Sequence, residues 1–93
     1  SWLILFYNIS CRPCQKFVPT WNEFAGNYNH VLRIGQVDCS NEDNHEICLQ
    51  FKIESYPTIM YFKDDKYHRL SGNRAFSKLE NFVFKLGYLD TND

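Results

Sequence analysis

The chain opens on an unbroken apolar run, Leu3-Ile4-Leu5-Phe6-Tyr7. A run without alternation suits a strand covered on both faces, in the interior of an α/β sheet, so a first strand is expected over Trp2 to Tyr7. After the short turn Asn8-Ile9-Ser10, apolar residues fall at Cys14, Phe17, Val18, Trp21, Phe24, Ala25 and Tyr28, a spacing that lines one face of a helix. Pro19 lies inside that pattern, where its missing N–H removes one backbone bond and predicts a bend. Gly26-Asn27 and Asn29-His30 supply the exit. Val31 to Asp38 reads as a second strand, and Ser40-Asn41 followed by Glu42 and Asp43 as a helix cap with acids in the first turn. A short helix bearing Ile47, Cys48 and Phe51 follows.

Lys52 to Ser55 connects to Pro57, which can stand only at the start or edge of a strand because it cannot donate to the ladder. Thr58 to Lys63 is that strand, Asp64-Asp65-Lys66 a turn, and Tyr67 to Ser71 its hairpin partner. Gly72-Asn73-Arg74 leads into a last helix with Phe76, Leu79, Phe82, Val83 and Leu86 on one face. The order is β-α-β-α-β-β-α. Alternation in the first half predicts parallel strands joined by a right-handed crossover, and the second half a hairpin plus helix. The fold class is therefore α/β, with a mixed sheet flanked by helices.

At 93 residues one domain is expected, with a sufficient core only if the sequence is densely apolar; 44% hydrophobic residues, with Phe 8, Tyr 6 and Trp 2, meet that need. The Trp and Phe/Tyr residues are expected at core-facing positions. Ten Lys and Arg against 11 Asp and Glu give a net charge of -1, which offers no basic footprint for nucleic acid or an anionic membrane. No apolar run approaches the roughly 18 to 20 residues of a membrane span. The abrupt start on a buried-looking strand, with no charged leader, leads us to expect residues 1–93 to be a single domain excised from a longer protein.

The chemistry concentrates at Cys11-Arg12-Pro13-Cys14. Two cysteines two residues apart, between an apolar strand and an amphipathic helix, make a redox-competent pair. The helix start leaves unpaired backbone N–H groups and the positive end of the macrodipole beside Cys11, which favours thiolate over thiol. Thiolate is the species that attacks disulfides. Cys14, one turn on, should face the buried side of the helix and act as the resolving thiol.

With these elements in order, the chain resembles the thioredoxin superfamily and, within it, the catalytic domains of protein disulfide isomerases. The likeness runs through Phe6-Tyr7 before the CxxC, Pro19-Thr20-Trp21 after it, Val37-Asp38-Cys39, Tyr56-Pro57-Thr58 and Gly72-Asn73-Arg74. It implies a thioredoxin fold, lacking the first strand and helix of the full family domain. By the resemblance, Cys11 and Cys14 match the attacking and resolving cysteines. Pro57 matches a cis-proline that presents backbone to an extended substrate, Tyr56 lines the same groove, and Arg74 matches an arginine that swings toward the site. The departures are specific. Those isomerases usually carry Trp before the first cysteine and Gly-His between the pair, where this chain has Ser10 and Arg12-Pro13. They bury an acid and a lysine where it has Leu5 and Gln36, and losing both together avoids a lone buried charge. Arg12 is expected to replace the histidine as the cation beside Cys11. Pro13 argues for a reductant, Arg12 for an oxidant.

Cys39 and Cys48 flank the start of the second helix. A structural disulfide is the leading reading, with free thiols and a second redox centre as alternatives. Similarly placed cysteines occur in quiescin-type sulfhydryl oxidases and in a multi-domain isomerase of the endoplasmic reticulum. Zinc is disfavoured, because a CxxC joined to partners nine apart is poor ligand spacing, and His30, His45 and His68 show no paired spacing. The resemblance implies thiol-disulfide exchange on cysteines of unfolded polypeptides, with no metal or organic cofactor. A partner domain or protein would reoxidise or reduce the pair, and the setting would be the endoplasmic reticulum lumen or another secretory compartment. The chain ends Thr91-Asn92-Asp93, without a retention signal. Two other readings stand beside it: the thioredoxin-like module of a flavin-linked sulfhydryl oxidase, and a chaperone or scaffold domain with a vestigial CxxC.

Overall fold

The computed structural model describes residues 1–86. Its elements are β1 (Trp2–Tyr7), α1 (Arg12–Tyr28), β2 (Arg33–Asp38), a 3-10 turn (Glu42–Asn44), α2 (His45–Gln50), β3 (Thr58–Lys63), β4 (Lys66–Arg69) and α3 (Phe76–Lys85). The strands form one sheet in the order β2-β1-β3-β4. β1 pairs parallel to β2, with Leu3 opposite Ile34 and Leu5 opposite Gln36. It pairs antiparallel to β3, and β3 pairs antiparallel to β4. The parallel first half and the antiparallel second half are those expected from the alternation of elements. Thr91-Asn92-Asp93 lies outside the described residues.

The unalternating apolar run of β1 divides between two faces. Leu3 and Leu5 meet Phe17, Trp21 and Phe24 of α1, Ile59 and Tyr61 of β3, and Leu79 and Val83 of α3, all in one buried cluster. Phe6 and Met60 point the other way, against Cys48 and Ile53. Removing this apolar surface from water, at about 25 cal/mol per Å², is the main force holding the helices to the sheet. Tyr28 at the end of α1 donates a hydrogen bond to the Glu80 carboxylate of α3. That bond, then burial, pushes the Tyr28 phenol up from its ordinary value.

The two faces are covered unequally, and this corrects several expectations. α2 has 6 residues and so extends only about 9 Å, against about 20 Å for the six-residue strands. The far end of β1 is left bare, and Trp2, expected in the core, is 44% exposed. Its ring lies under the Arg33 guanidinium, 5.8 Å from the ring centre. Gly35, opposite Ile4 in β2, leaves room for both side chains, since a Cβ there would stand 3.2 Å from the Ile4 side chain and 3.4 Å from the Trp2 ring. Tyr67 and Phe84 are also exposed, as are Val18 and Ile47 at the margins of their helical stripes.

Two boundaries differ as well. Val31 and Leu32 were expected in the second strand, but both of their N–H groups are spent on the Tyr28 carbonyl, at 3.1 and 2.9 Å. The backbone is therefore still closing α1 and cannot join the ladder until Arg33. Leu32 is nonetheless buried beneath the turn, while Val31 is exposed. The hairpin turns on Asp64 and Asp65, with φ of 52° and 65°, a left-handed pair that Asp tolerates better than most residues. β4 then starts at Lys66 and ends at Arg69, short of Ser71.

Candidate functional site

The loop after β1 is shaped by Asn8. Its side-chain oxygen accepts from Ser10 N–H at 2.9 Å, and its carbonyl accepts from Cys11 N–H at 3.0 Å. Cys11 is then the cap of α1, with extended backbone (φ -85°, ψ 119°), and Pro13 falls in the first turn. Proline is well placed there, because its absent N–H would have had no intrahelical partner. The capping acceptor is the Cys11 sulfur: Cys14 N–H donates to it at 3.2 Å. Ser, Asp or Asn usually fills this role, and here the same orphan N–H is met by sulfur.

The same sulfur reaches across the fold. Cys11 Sγ lies 3.5 Å from the Tyr56 carbonyl oxygen, to which its thiol donates, and the Tyr56–Pro57 peptide bond is cis. Residues 45 positions apart thus meet at one point. Cys11 is half-buried and Cys14 buried, and both are free cysteines. Burial, reinforced by the hydrogen bond and charge of Cys11, pushes the Cys14 thiol up to about 11, against smaller opposing effects of the Asn8 backbone and Arg74. Among the described residues, no carboxylate shifts Cys14. Leu5 is buried and Gln36 exposed in the paired strands behind it.

Arg74 is half-buried, with its guanidinium 6.0 Å from the centre of the Phe17 ring. Arg12 is exposed and lines, with Lys16, Phe17 and Arg74, a groove of about 530 Å³ beside the cysteine pair. Cys39 and Cys48 are joined by a disulfide, with Cα atoms 6.0 Å apart, in the apolar cluster that Tyr56 also borders. His30, His45 and His68 are exposed, and among the described residues no three His, Cys, Asp or Glu side chains converge on a metal-sized point. The structure therefore assembles Cys11, Cys14, Tyr56 and Pro57 at one place, with Arg12 and Arg74 on its flank. Two contributors escaped the reading of the sequence. Asn8 was visible only as a turn former, and Phe17, which seats Arg74, looked like any other core residue on the helical stripe.

Comparison with known proteins fits this geometry. Residues 1–85 match the thioredoxin family model. A mitochondrial thioredoxin domain-containing protein of Schizosaccharomyces pombe is 33% identical over 87 residues, covering 87% of this chain and 24% of that protein. DnaJ homolog subfamily C member 10 of Xenopus laevis is 39% identical over 86 residues, covering 88% and 10%. Human sulfhydryl oxidase 2 is 36% identical over 85 residues, covering 88% and 11%. The crystal structure of the J-Trx1 fragment of ERdj5 superposes with a TM-score of 0.82 at 31% identity, covering 91% of this chain and 42% of the fragment. The chain thus spans between a tenth and a quarter of the length of these curated relatives. With the fold, the strand order and the sequence match in agreement over residues 1–85, the chain belongs to the thioredoxin family.

Proposed function

We propose that this chain is a thiol-disulfide oxidoreductase domain that exchanges disulfides with cysteines of polypeptide substrates through Cys11 and Cys14. The observation that carries the reading is the Cys11 sulfur, partly accessible at the start of α1, accepting from Cys14 N–H and lying 3.5 Å from the Tyr56 carbonyl. In the reducing direction the Cys11 thiolate attacks one sulfur of a substrate disulfide. A Cys11–substrate S–S bond forms, the substrate S–S bond breaks, and the departing substrate thiolate takes a proton from water. Cys14 then returns a proton to water and attacks the Cys11 sulfur. The mixed disulfide breaks, Cys11–Cys14 forms, and the second substrate thiolate leaves, so two electrons pass from the domain to the substrate. The oxidising direction is the same sequence reversed. Tyr56 and Pro57 guide the extended substrate beside Cys11, and Arg12 and Arg74 assist with positive charge. The chemistry requires no metal or organic cofactor.

The Cys39–Cys48 disulfide, together with similarity to the ERdj5 fragment, supports an oxidising secretory compartment, the endoplasmic reticulum lumen in particular; similarity to a mitochondrial protein is the competing indication. Similarity to sulfhydryl oxidase 2 favours a second reading, in which a flavin domain elsewhere in the parent protein reoxidises the pair. Flavin absorbance with dithiol-dependent oxygen uptake by the parent protein would select it. The primary test is insulin reduction with trapping. Cys14→Ser should accumulate a mixed disulfide through Cys11, and Cys11→Ser should neither trap nor reduce. Wild-type turnover by Cys11→Ser would leave the fold as a binding module.

A further inference from the structure

Among the described residues, the groove beside the cysteine pair is lined by the cations Arg12, Lys16 and Arg74, by Pro13 and Phe17, and by no carboxylate. A second hollow of about 480 Å³ adjoins it at Asn73 and adds Lys78 and Lys85, again without an acid among the described residues. Arg69 also borders that hollow, but its guanidinium is tied to the Phe51 carbonyl at 2.7 Å and is not counted. Five of the ten Lys and Arg residues therefore line one continuous face, and none of the acids among the described residues does, in a chain whose net charge is -1. Among the described residues these five cations make no ion pair.

The placement also runs against helix electrostatics. α1 and α3 both start at this face without an acid in their first turns, and Arg12 and Lys78 stand where the macrodipole favours negative charge. A negative group in the groove would offset both that repulsion and the mutual repulsion of Arg12, Lys16 and Arg74. The reactive pair is in reach, because Arg12 and Pro13 belong to both the CxxC and the groove, and the charge of Arg74 is felt at Cys14.

We propose that this basic groove selects substrate polypeptides carrying Asp or Glu next to the target cysteine, seating those carboxylates against Arg12, Lys16 and Arg74 while Cys11 forms the mixed disulfide. The inference rests on the thiol-disulfide activity proposed above and names its substrate class. Peptide is preferred to a small anion as occupant because the two hollows continue past the cysteines from α1 to the end of α3, a reach suited to an extended segment.

The test compares three matched peptide disulfides flanked by paired Glu, Gln or Lys residues, each rate normalised to its reduction by dithiothreitol. At low ionic strength the acidic peptide should react about tenfold faster than the basic one, and the difference should shrink to about twofold in 0.5 M salt. Lys16→Glu combined with Lys78→Glu should abolish or invert the ranking, read as the ratio of the acidic to the basic peptide's rate. Equal normalised rates for all three peptides would overturn the acidic preference while thiol-disulfide exchange stood. So would an equal slowing of all three in the double variant, which would place the charge effect on the cysteines. No reaction with any peptide would bring down the assigned activity instead.

Discussion

Cys11 and Cys14 are three residues apart and sit in opposed environments. The first is half-exposed, taking one hydrogen bond and making another; the second is enclosed, with its thiol pushed up to about 11 by burial first and by Cys11 next. The contrast in exposure expected from helix geometry is present, since one turn of α1 carries the side chain from the loop edge to the core face. The consequence for pH has a definite sign. A thiol held up to about 11 is protonated at neutrality, so its thiolate fraction rises about tenfold per pH unit until that value is approached. Once Cys11 is in a mixed disulfide its negative charge is gone, but burial remains the leading cause. The Cys14-dependent release of a preformed Cys11 mixed disulfide should therefore accelerate steeply from pH 6 to 9 without a plateau, as stopped-flow or acid-quench kinetics would record. A plateau below pH 8 would contradict it. Leu5 and Gln36, noted in the sequence as a lost charge pair, are consistent with this: among the described residues no buried acid stands by to take the proton.

At the level of elements, α1 was legible because Phe17, Trp21, Phe24 and Tyr28 repeat at the helical period, and its start because a cysteine pair and proline stand where a cap and first turn belong. The start of β2 was not legible. Val31 and Leu32 have strand-like side chains, and only the capture of their N–H groups by the Tyr28 carbonyl removes them from the sheet. Propensity cannot register a hydrogen bond already spent. The second helix depends on a different device. α2 is only 6 residues long, too short to persist by itself, and the Cys39–Cys48 disulfide ties it to the end of β2 across a separation of nine. Replacing both cysteines by Ala should lower stability by about 2 to 3 kcal/mol through loop-closure entropy, read from urea unfolding at constant slope. Insulin reduction by the folded double variant should stay within about twofold of the wild type, because Cys39 and Cys48 are bonded to each other while Cys11 and Cys14 are the free cysteines. A large loss of turnover at full folding would instead give them a redox role.

For the whole molecule, the decisive asymmetry is one sheet with two unequal covers. α1 and α3 seal one face, while the short α2 leaves Trp2, Ile4, Ile47, Phe51 and Phe62 around an apolar hollow of about 320 Å³ on the other. The two tryptophans report on the two faces, with Trp21 2% and Trp2 44% exposed. Trp21→Ala should cost about 3 to 5 kcal/mol, near the usual penalty for emptying an aromatic core site, whereas Trp2→Ala should cost under about 2 kcal/mol. In the Trp21→Phe variant the remaining fluorescence should be readily quenched by iodide, and in Trp2→Phe it should be shielded. Similar quenching in both would mean that the second face is covered as well as the first.

The amino-acid order alone determined which segments are helix and strand, that the first two strands run parallel, and which two sulfurs stand at the mouth of α1. These depend on local period, turn chemistry and short separations, all written within a few residues of one another. Tertiary structure alone decided that Tyr56, 45 positions away, brings its carbonyl to Cys11, that Trp2 lies bare, and that cations from α1, the Gly72–Arg74 turn and α3 gather on one face while the chain's net charge stays near zero. Such outcomes follow from how long each helix is relative to the sheet it covers and from which chain ends the fold brings together. Those are properties of packing in space, and no stretch of sequence carries them.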